Sequence, residues 1–160
     1  MIRGSCERMG IRSVRCVVGD AREARAIFVG SLFDKVLVDA PCSGLGTLRR
    51  NPDARWRVRP GDPARLAEIQ TGILRNAAAV LRPSGVLVYS TCTLLREENE
   101  DVVEAFLDNE PQFVLSSAPQ APAALRPVIG ADGLLRCLPH LHDTDGFFAA
   151  RLSANSWASA

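Results

Sequence analysis

Two short segments constrain the fold most strongly, because in each an apolar run leads within a few residues to a cysteine. The run Lys35–Val38 continues through Asp39 to Cys42, and the run Val86–Tyr89 continues to Cys92. Apolar runs that break into small and polar residues are typical of buried strands. In an open α/β sheet, ligands bind beyond the carboxyl ends of the strands. The pattern predicts an α/β fold in which two thiols and a carboxylate form a candidate active site.

The rest of the first two thirds of the chain predicts one more strand and several helices. The β-branched run Val14–Val18 predicts a strand that ends next to Asp20, and 21–28 is expected to be a short helix or turn. Apolar residues at i, i+3, i+7 and i+8 spacing predict an amphipathic helix over 62–81, with its first residue as the N-cap. A second helix is predicted over Glu97–Asn109, where acidic residues at the start suit the helix dipole.

Three weaker strand patterns close the chain, namely Phe113–Leu115, Leu134–Leu138 and Gly146–Leu152. The last two predict an antiparallel hairpin with a long connection, and a loop rich in proline and alanine is expected at 118–127. This order of elements predicts one α/β domain over 1–152 with a mostly parallel sheet, followed by a flexible tail at 153–160. Right-handed crossovers would bring Asp39, Cys42 and Cys92 to the same sheet edge.

Composition excludes several classes of protein. The 160 residues are 47% apolar and 23% charged, as in a soluble globular domain. No apolar run approaches the roughly 18 residues of a membrane span, and the N-terminus lacks the apolar stretch of a signal peptide. The sequence therefore predicts a cytoplasmic protein with no membrane partner. Five scattered cysteines without a C-x-x-C pair favour reduced thiols over a disulfide framework or a metal site.

Charge is concentrated in one segment, although the net charge is only +1. Residues 49–59 hold five arginines against the single acid Asp53, with Trp56 among them. Basic groups beside an aromatic ring suit phosphate contact and base stacking. A solvated arginine-rich loop is the alternative, because Lys35 is the only lysine in the chain.

The chemistry of the two cysteines stays open at the level of residue patterns. A thiol just past a strand can serve as a nucleophile, but a free cysteine is usually a small buried apolar residue. A tyrosine-phosphatase loop is excluded because Leu48 stands where its arginine would follow Cys42, and a P-loop lysine is absent. A papain-like pair is unsupported, since His140 and His142 lie in a distant loop.

Four motifs follow one another in a specific order. They are Asp39-Ala40-Pro41-Cys42-Ser43-Gly44, Arg49-Arg50-Asn51-Pro52-Asp53 with Trp56, Tyr89-Ser90-Thr91-Cys92-Thr93 with Glu97-Glu98-Asn99, and Thr144-Asp145-Gly146-Phe147-Phe148. Together they resemble the RNA cytosine-5 methyltransferases of the Sun/Nop family, in particular the bacterial 16S rRNA enzymes of the RsmB (Fmu) type. The resemblance covers about residues 10–152 and implies a Rossmann-like fold that uses S-adenosylmethionine.

The resemblance also implies roles for individual residues. Cys92 would be the nucleophile that adds to carbon 6 of cytosine, which makes carbon 5 reactive. Cys42 would release the product from the covalent adduct, and Asp39 would contact the cytosine ring. The cofactor-binding residues it implies are Asp20, Asp39 and Pro41. The residues expected to contact RNA, with rRNA as the partner, are Arg49, Arg50, Arg55 and Trp56.

The chain departs from the family pattern in its first part. Members carry a glycine-rich cofactor loop, an acid after the next strand and a catalytic lysine, but no such glycine-rich segment precedes residue 42 here. We therefore expect this chain to be the C-terminal part of a methyltransferase catalytic domain that lacks N-terminal strands of the sheet. Weak cofactor binding and little transfer by the chain alone follow from that expectation. The alternative is a non-catalytic RNA-binding module that retains the fold.

Overall fold

A computed structural model describes residues 2–116 and 121–154. Its helices and strands are α1 (Ile2–Arg8), α2 (Ala24–Ile27), β1 (Phe33–Asp39), α3 (Ala54–Arg57), α4 (Asp62–Ala78), β2 (Leu81–Thr91), α5 (Glu100–Asn109), β3 (Phe113–Leu115), β4 (Leu135–Cys137), α6 (Pro139–His142) and β5 (Phe147–Ala154). Short 3₁₀ turns are Ala21–Glu23, Leu45–Thr47, Arg96–Glu98 and Ala123–Val128. The tail predicted at 153–160 begins too early, because Ser153 and Ala154 are paired within β5. The rest of it lies outside the described residues, as does part of the loop predicted at 118–127.

The described strands form one mixed sheet in the order β1-β2-β5-β3, with β4 also paired to β5. β1 and β2 are parallel, whereas β5 is antiparallel to β2, β3 and β4. Four of these five strands therefore run in one direction and β5 runs in the other. The predicted α/β class and the β4–β5 hairpin are confirmed, with β1–β2 as the parallel pairing.

The hydrophobic core lies between one face of this sheet and the helices α4 and α5. Alternate side chains of β2, Leu87 and Tyr89, are fully buried there, together with Phe106 of α5 and Phe148 of β5. Burying a side chain of this size stabilises the fold by about 1.5–3 kcal/mol. On the opposite face Leu37 of β1 is 68% exposed. β1 is also an end strand of the sheet, so its outer edge pairs with none of the described strands.

The strand predicted at Val14–Val18 is wrong, because the structure has irregular backbone there and Val18 is fully exposed. A strand is stable only when its backbone groups find partners, and no described strand lies alongside this segment. The helix predicted over 62–81 ends at Ala78, because Leu81 begins β2. Asp62 lies inside the helix and accepts a hydrogen bond from the backbone N–H of Arg59 (2.9 Å), while Gly61 takes the N-cap position.

Candidate active site

The parallel pairing of β1 and β2 brings the two cysteines together. Asp39 is in register with Ser90, and the backbone N–H of Ala40 donates to the carbonyl of Ser90 (2.9 Å), so both chains leave the sheet at the same edge. The Sγ atoms of Cys42 and Cys92 are 3.4 Å apart, and both residues are half-buried. The structure thus joins two predicted site residues that are 50 positions apart in sequence.

Burial and the neighbouring Cys92 thiol raise the pKa of Cys42 from 9.0 to about 12. An apolar environment disfavours the charged thiolate, and a second sulfur at hydrogen-bonding distance stabilises the protonated form. Cys42 therefore carries its proton at neutral pH.

Both peptide groups that flank Cys42 are held by buried side chains. Gln70 Nε2 donates to the carbonyl of Pro41 (2.9 Å), and Glu98 Oε2 accepts from the backbone N–H of Ser43 (2.8 Å). Gln70 Nε2 also donates to Glu98 Oε2 (3.1 Å), and Gln70 and Glu98 are both fully buried. The loop that carries Cys42 is therefore anchored on both sides of the cysteine.

Cys92 has a corresponding anchor in Asn99, which is 3% exposed. Thr91 Oγ1 donates to Asn99 Oδ1 (2.6 Å), and Asn99 Nδ2 donates to the carbonyl of Thr93 (3.1 Å). The hydroxyl groups of Thr93 and Ser43 are 2.8 Å apart, which links the two cysteine loops directly. The residues on both sides of each cysteine are thus held by hydrogen bonds to buried side chains.

Gly46 lies between two backbone segments at this site. Its N–H donates to the carbonyl of Cys92 (2.9 Å), and its carbonyl accepts from the N–H of Gly146 (2.8 Å). A Cβ at position 46 would lie 2.7 Å from the carbonyl oxygen of Cys92 and closer still to that of Gly146. Only glycine allows these three segments to approach so closely.

The buried roles of Glu98 and Asn99 were missed by the sequence prediction, which placed Glu98 among acids that suit a helix dipole. The structure puts Glu98 in a 3₁₀ turn before α5 and buries it completely. A signal was present, because residues four apart share a helix face. Glu98 and Asn99 stand four positions before Val102 and Val103, which are core residues of α5.

Asp39 and Pro41 lie beside the thiols but face a separate cleft of about 420 Å³. Ala21 and Phe28 line the same cleft, together with residues of β1 and α4. Its size falls within the range of small-molecule sites, roughly 300–1,000 Å³. Asp39 is exposed at the rim.

Asp20 lies next to Ala21 of this cleft, and its carboxylate is already engaged. It accepts from the backbone N–H of Arg22 (2.9 Å) and forms an ion pair with the Arg22 guanidinium (2.6 Å). These hydrogen bonds lower the pKa of Asp20 to about 2. The carboxylate also caps the 3₁₀ turn Ala21–Glu23.

The first two arginines of the basic segment form ion pairs with the connection between β4 and β5. Arg49 pairs with Asp143 (2.7 Å), and Arg50 pairs with Asp145 (2.6 Å). These contacts are solvent-exposed on the arginine side, so a ligand phosphate can compete for them.

The next part of the basic segment presents an aromatic ring to solvent. Trp56 on α3 is 76% exposed, and the guanidinium of Arg55 lies 4.8 Å from the centre of its ring. A cation over an indole face is a favourable pair, and an exposed indole ring can also stack on a base.

A family model for 16S rRNA methyltransferase RsmB/F matches residues 1–153 of the sequence. The chain belongs to this family. The sequence-based assignment to the Sun/Nop group, to which the RsmB/F enzymes belong, is thereby confirmed.

Individual RsmB/F relatives agree with the match. The chain is 45% identical over 150 residues to the probable ribosomal RNA small subunit methyltransferase B of Bacillus subtilis (strain 168), which covers 92% of this chain and 33% of that protein. It is 38% identical over 154 residues to ribosomal RNA small subunit methyltransferase F of Escherichia coli O9:H4 (strain HS), covering 95% and 32%. The chain thus spans about a third of the length of these relatives.

Solved structures show the same fold. NSun6 from Pyrococcus horikoshii, determined with the S-adenosylmethionine analogue SFG, is 34% identical with a TM-score of 0.78, over 96% of this chain and 38% of that one. A methyltransferase homologue from the same organism is 32% identical with a TM-score of 0.73, over 95% and 48%. The RsmB/F family and these neighbours belong to the S-adenosylmethionine-dependent methyltransferases, as predicted.

Residues 2–116 and 121–154 lack two other classes of feature. There, no group of three or more histidine, cysteine, aspartate or glutamate side chains is placed to hold a metal ion. In the same ranges, no helix has the length and apolar character needed to span a membrane.

Proposed function

We propose that this chain carries the catalytic cysteines of an enzyme that methylates carbon 5 of a cytosine in RNA, with 16S rRNA as the substrate. The observation that carries this proposal is the 3.4 Å separation of the Cys42 and Cys92 Sγ atoms at the carboxyl ends of two parallel strands. If the two cysteines were only apolar packing residues, their thiols would not need to be in contact. Their loops would also not need buried polar side chains to hold them. Covalent attack followed by elimination does require two groups at one point.

In the proposed reaction, the Cys92 thiolate adds to carbon 6 of the cytosine, and the electron pair moves toward carbon 5. Asp39 would contact the ring and stabilise positive charge at nitrogen 3. Bound S-adenosylmethionine would supply the electrophilic methyl group. Cys42 is protonated in the free protein, so its thiol proton would first pass to solvent water, which leaves a strongly basic thiolate. It would take the proton from carbon 5, and the electron pair of that bond would expel the Cys92 sulfur.

The cleft beside β1 fits an adenosyl group in size, and its walls are mostly apolar with Asp39 and Pro41 at one end. We propose that these two residues contact the cofactor. Asp20 would join them through a hydrogen bond to the adenine, provided that its carboxylate turns partly away from Arg22. Turning costs little, because both side chains of that pair are about half exposed.

We propose that Arg49, Arg50, Arg55 and Trp56 contact RNA around the target base. Their exposure, and the pairing of a cation with an exposed indole ring, support this role. A target cytosine must be unpaired or flipped to enter the site. The cytoplasmic location predicted from the sequence stays a prediction.

The decisive experiment is covalent trapping with RNA that contains 5-fluorocytosine, using the protein as its gene encodes it. With S-adenosylmethionine present, methyl transfer to a carbon 5 that carries fluorine leaves no proton there for elimination, so we expect a stable protein–RNA adduct on a denaturing gel. Cys92→Ala should abolish the adduct, whereas Cys42→Ala should retain it. No adduct with the unmodified protein, despite measurable RNA binding, would favour the non-catalytic RNA-binding module.

We further propose that residues 1–152 are part of a larger catalytic domain, because they span about a third of the length of the family relatives. The open outer edge of β1 beside the cleft supports this view. The 160-residue chain alone should therefore bind S-adenosylmethionine weakly. Tight binding in isothermal titration calorimetry would overturn this proposal without affecting the assignment of the cysteines.

A further inference from the structure

One short turn contacts both cysteine loops. Glu98 ends the 3₁₀ turn Arg96–Glu98 and holds the loop of Cys42, and its neighbour Asn99 holds the loop of Cys92. Tyr89 fixes the turn itself, because its hydroxyl donates to the backbone carbonyl of Glu98 (2.6 Å) in the core. Two adjacent residues on one rigid support thus determine where both thiols stand.

We propose, on the basis of the proposed function, that Glu98, Gln70 and Asn99 are positioning residues that hold the two thiols in their working arrangement. Glu98 and Gln70 act on Cys42, the group that releases the product. Asn99 acts on Cys92, the group that attacks. Although the turn is shared, each cysteine loop has its own anchoring side chains, so loss of one anchor should affect one half of the reaction.

Two unpaired oxygens favour a functional role over a purely structural one. Among the described residues, Gln70 Oε1 and Glu98 Oε1 are buried without a hydrogen-bond partner. A buried unpaired polar atom destabilises the fold, and an apolar pair of the same shape would avoid the cost. The other polar atoms of Glu98 and Gln70 nevertheless form hydrogen bonds with Ser43 and Pro41, the neighbours of Cys42. These hydrogen bonds fix the position of Cys42.

The same unpaired atoms define an informative substitution. Glu98→Gln keeps one oxygen that can accept from Ser43 and Gln70, and it places an amide donor where Glu98 has its unpaired Oε1. Glu98→Ala removes every one of these bonds. A positioning role therefore predicts that the glutamine variant works and the alanine variant fails. Glu97→Ala is the matched control, because Glu97 is the adjacent glutamate and is exposed.

The first test follows adduct formation and release separately, with the protein as encoded and S-adenosylmethionine. On RNA with ordinary cytosine, Glu98→Ala should form the covalent adduct and release it about 10- to 100-fold more slowly, because a small misplacement of a reacting group has effects of this size. Adduct should accumulate as in Cys42→Ala. Asn99→Ala should instead slow formation of the adduct with 5-fluorocytosine RNA. General loss of structure would reduce formation in both variants and could not produce this split.

The second test does not depend on the proposed function. Mass spectrometry measures the rates at which iodoacetamide alkylates Cys42 and Cys92 in the protein as its gene encodes it. Glu98→Ala should change the rate at Cys42 by roughly tenfold and the rate at Cys92 much less, since a lost buried hydrogen bond acts where it was made. Asn99→Ala should change the alkylation rate at Cys92 by roughly tenfold and the rate at Cys42 much less. Where either alanine variant does not fold, Gln70→Leu and Asn99→Asp replace it. The first removes the amide that donates to Pro41 and Glu98, and the second removes the donor to Thr93.

The outcomes separate the two proposals. If the unmodified protein forms no adduct, the proposed function fails, and the alkylation rates still decide the positioning roles. If adducts form but Glu98→Ala behaves as Glu97→Ala, or if Glu98→Gln is as impaired as Glu98→Ala, the positioning role is overturned. Equal changes at both cysteines in either variant would overturn it as well.

Discussion

The two cysteine loops and the arginine segment 49–59 use polar side chains in opposite ways. Around the cysteines, Gln70, Glu98 and Asn99 are buried and bound to backbone groups. In the arginine segment, Arg49 and Arg50 are 51% and 76% exposed and pair with acids of another loop. Leaving a buried polar group unpaired costs about 1–3 kcal/mol, whereas an exposed ion pair is worth roughly 0–1 kcal/mol. The first region is built to keep a fixed geometry, and the second is built to exchange partners.

The largest effect that would test this contrast is on the reactivity of Cys42. Because burial and Cys92 raise its pKa from 9.0 to about 12, the thiolate fraction at neutral pH should be about a thousandfold lower than in the unfolded chain. The thiol form persists below the pKa and the thiolate forms above it. Alkylation of Cys42 in the folded chain should therefore still rise tenfold per pH unit between about pH 9 and 11, where the urea-unfolded chain levels off. A plateau near pH 9 in the folded chain would mean that Cys42 is not buried as described.

The next effect concerns the close approach of three segments at Gly46. Gly46→Ala should lower the free energy of unfolding by about 3 kcal/mol, because the new methyl group overlaps the carbonyl oxygens of Cys92 and Gly146. Urea unfolding followed by circular dichroism measures the change. Gly4→Ala is the control, since a Cβ there meets no atom within 4 Å. Similar values for the two variants would show that the segments can separate without cost.

A smaller loss is expected at Glu98. Glu98→Ala should lower the free energy of unfolding by about 2 kcal/mol, because the Ser43 N–H loses its partner and Gln70 loses one. Glu98→Gln should lose less than half of that, as the amide can still accept from Ser43. Thermal unfolding of both variants checks this order. An equal loss in both would mean that the charge of Glu98, not its hydrogen bonds, supports the loop.

The smallest effect is expected in the arginine segment. Arg50→Ala should change the free energy of unfolding by less than about 0.5 kcal/mol, because its ion pair with Asp145 is exposed on the arginine side. The same variant should weaken RNA binding and reduce its dependence on salt, since one phosphate contact is lost. Fluorescence anisotropy at two salt concentrations measures both quantities. A stability loss as large as that of Glu98→Ala would remove the contrast between the two regions.

Local patterns were sufficient to predict the strands that carry the cysteines and the helix between them, because short apolar runs and helical spacing report burial directly. The right-handed crossover between parallel strands then predicted that Cys42 and Cys92 lie at the same sheet edge, which the structure confirms. The strand at Val14–Val18 was wrong because β-branched composition describes a preference, while a strand also needs a neighbour to pair with. Glu98 was misread because charge usually indicates solvent exposure, and burial of a carboxylate depends on partners that are distant in sequence, here Gln70 and Ser43.

The end position of β1 in the sheet also has a consequence for handling the protein in solution. A seven-residue strand whose outer edge pairs with no described strand, and which carries the exposed Leu37, is a template on which a second molecule can add a strand. A net charge of +1 provides little electrostatic repulsion between molecules at neutral pH. Concentrated samples of the 160-residue chain should therefore self-associate, and added arginine or a charged fusion partner should keep them dispersed.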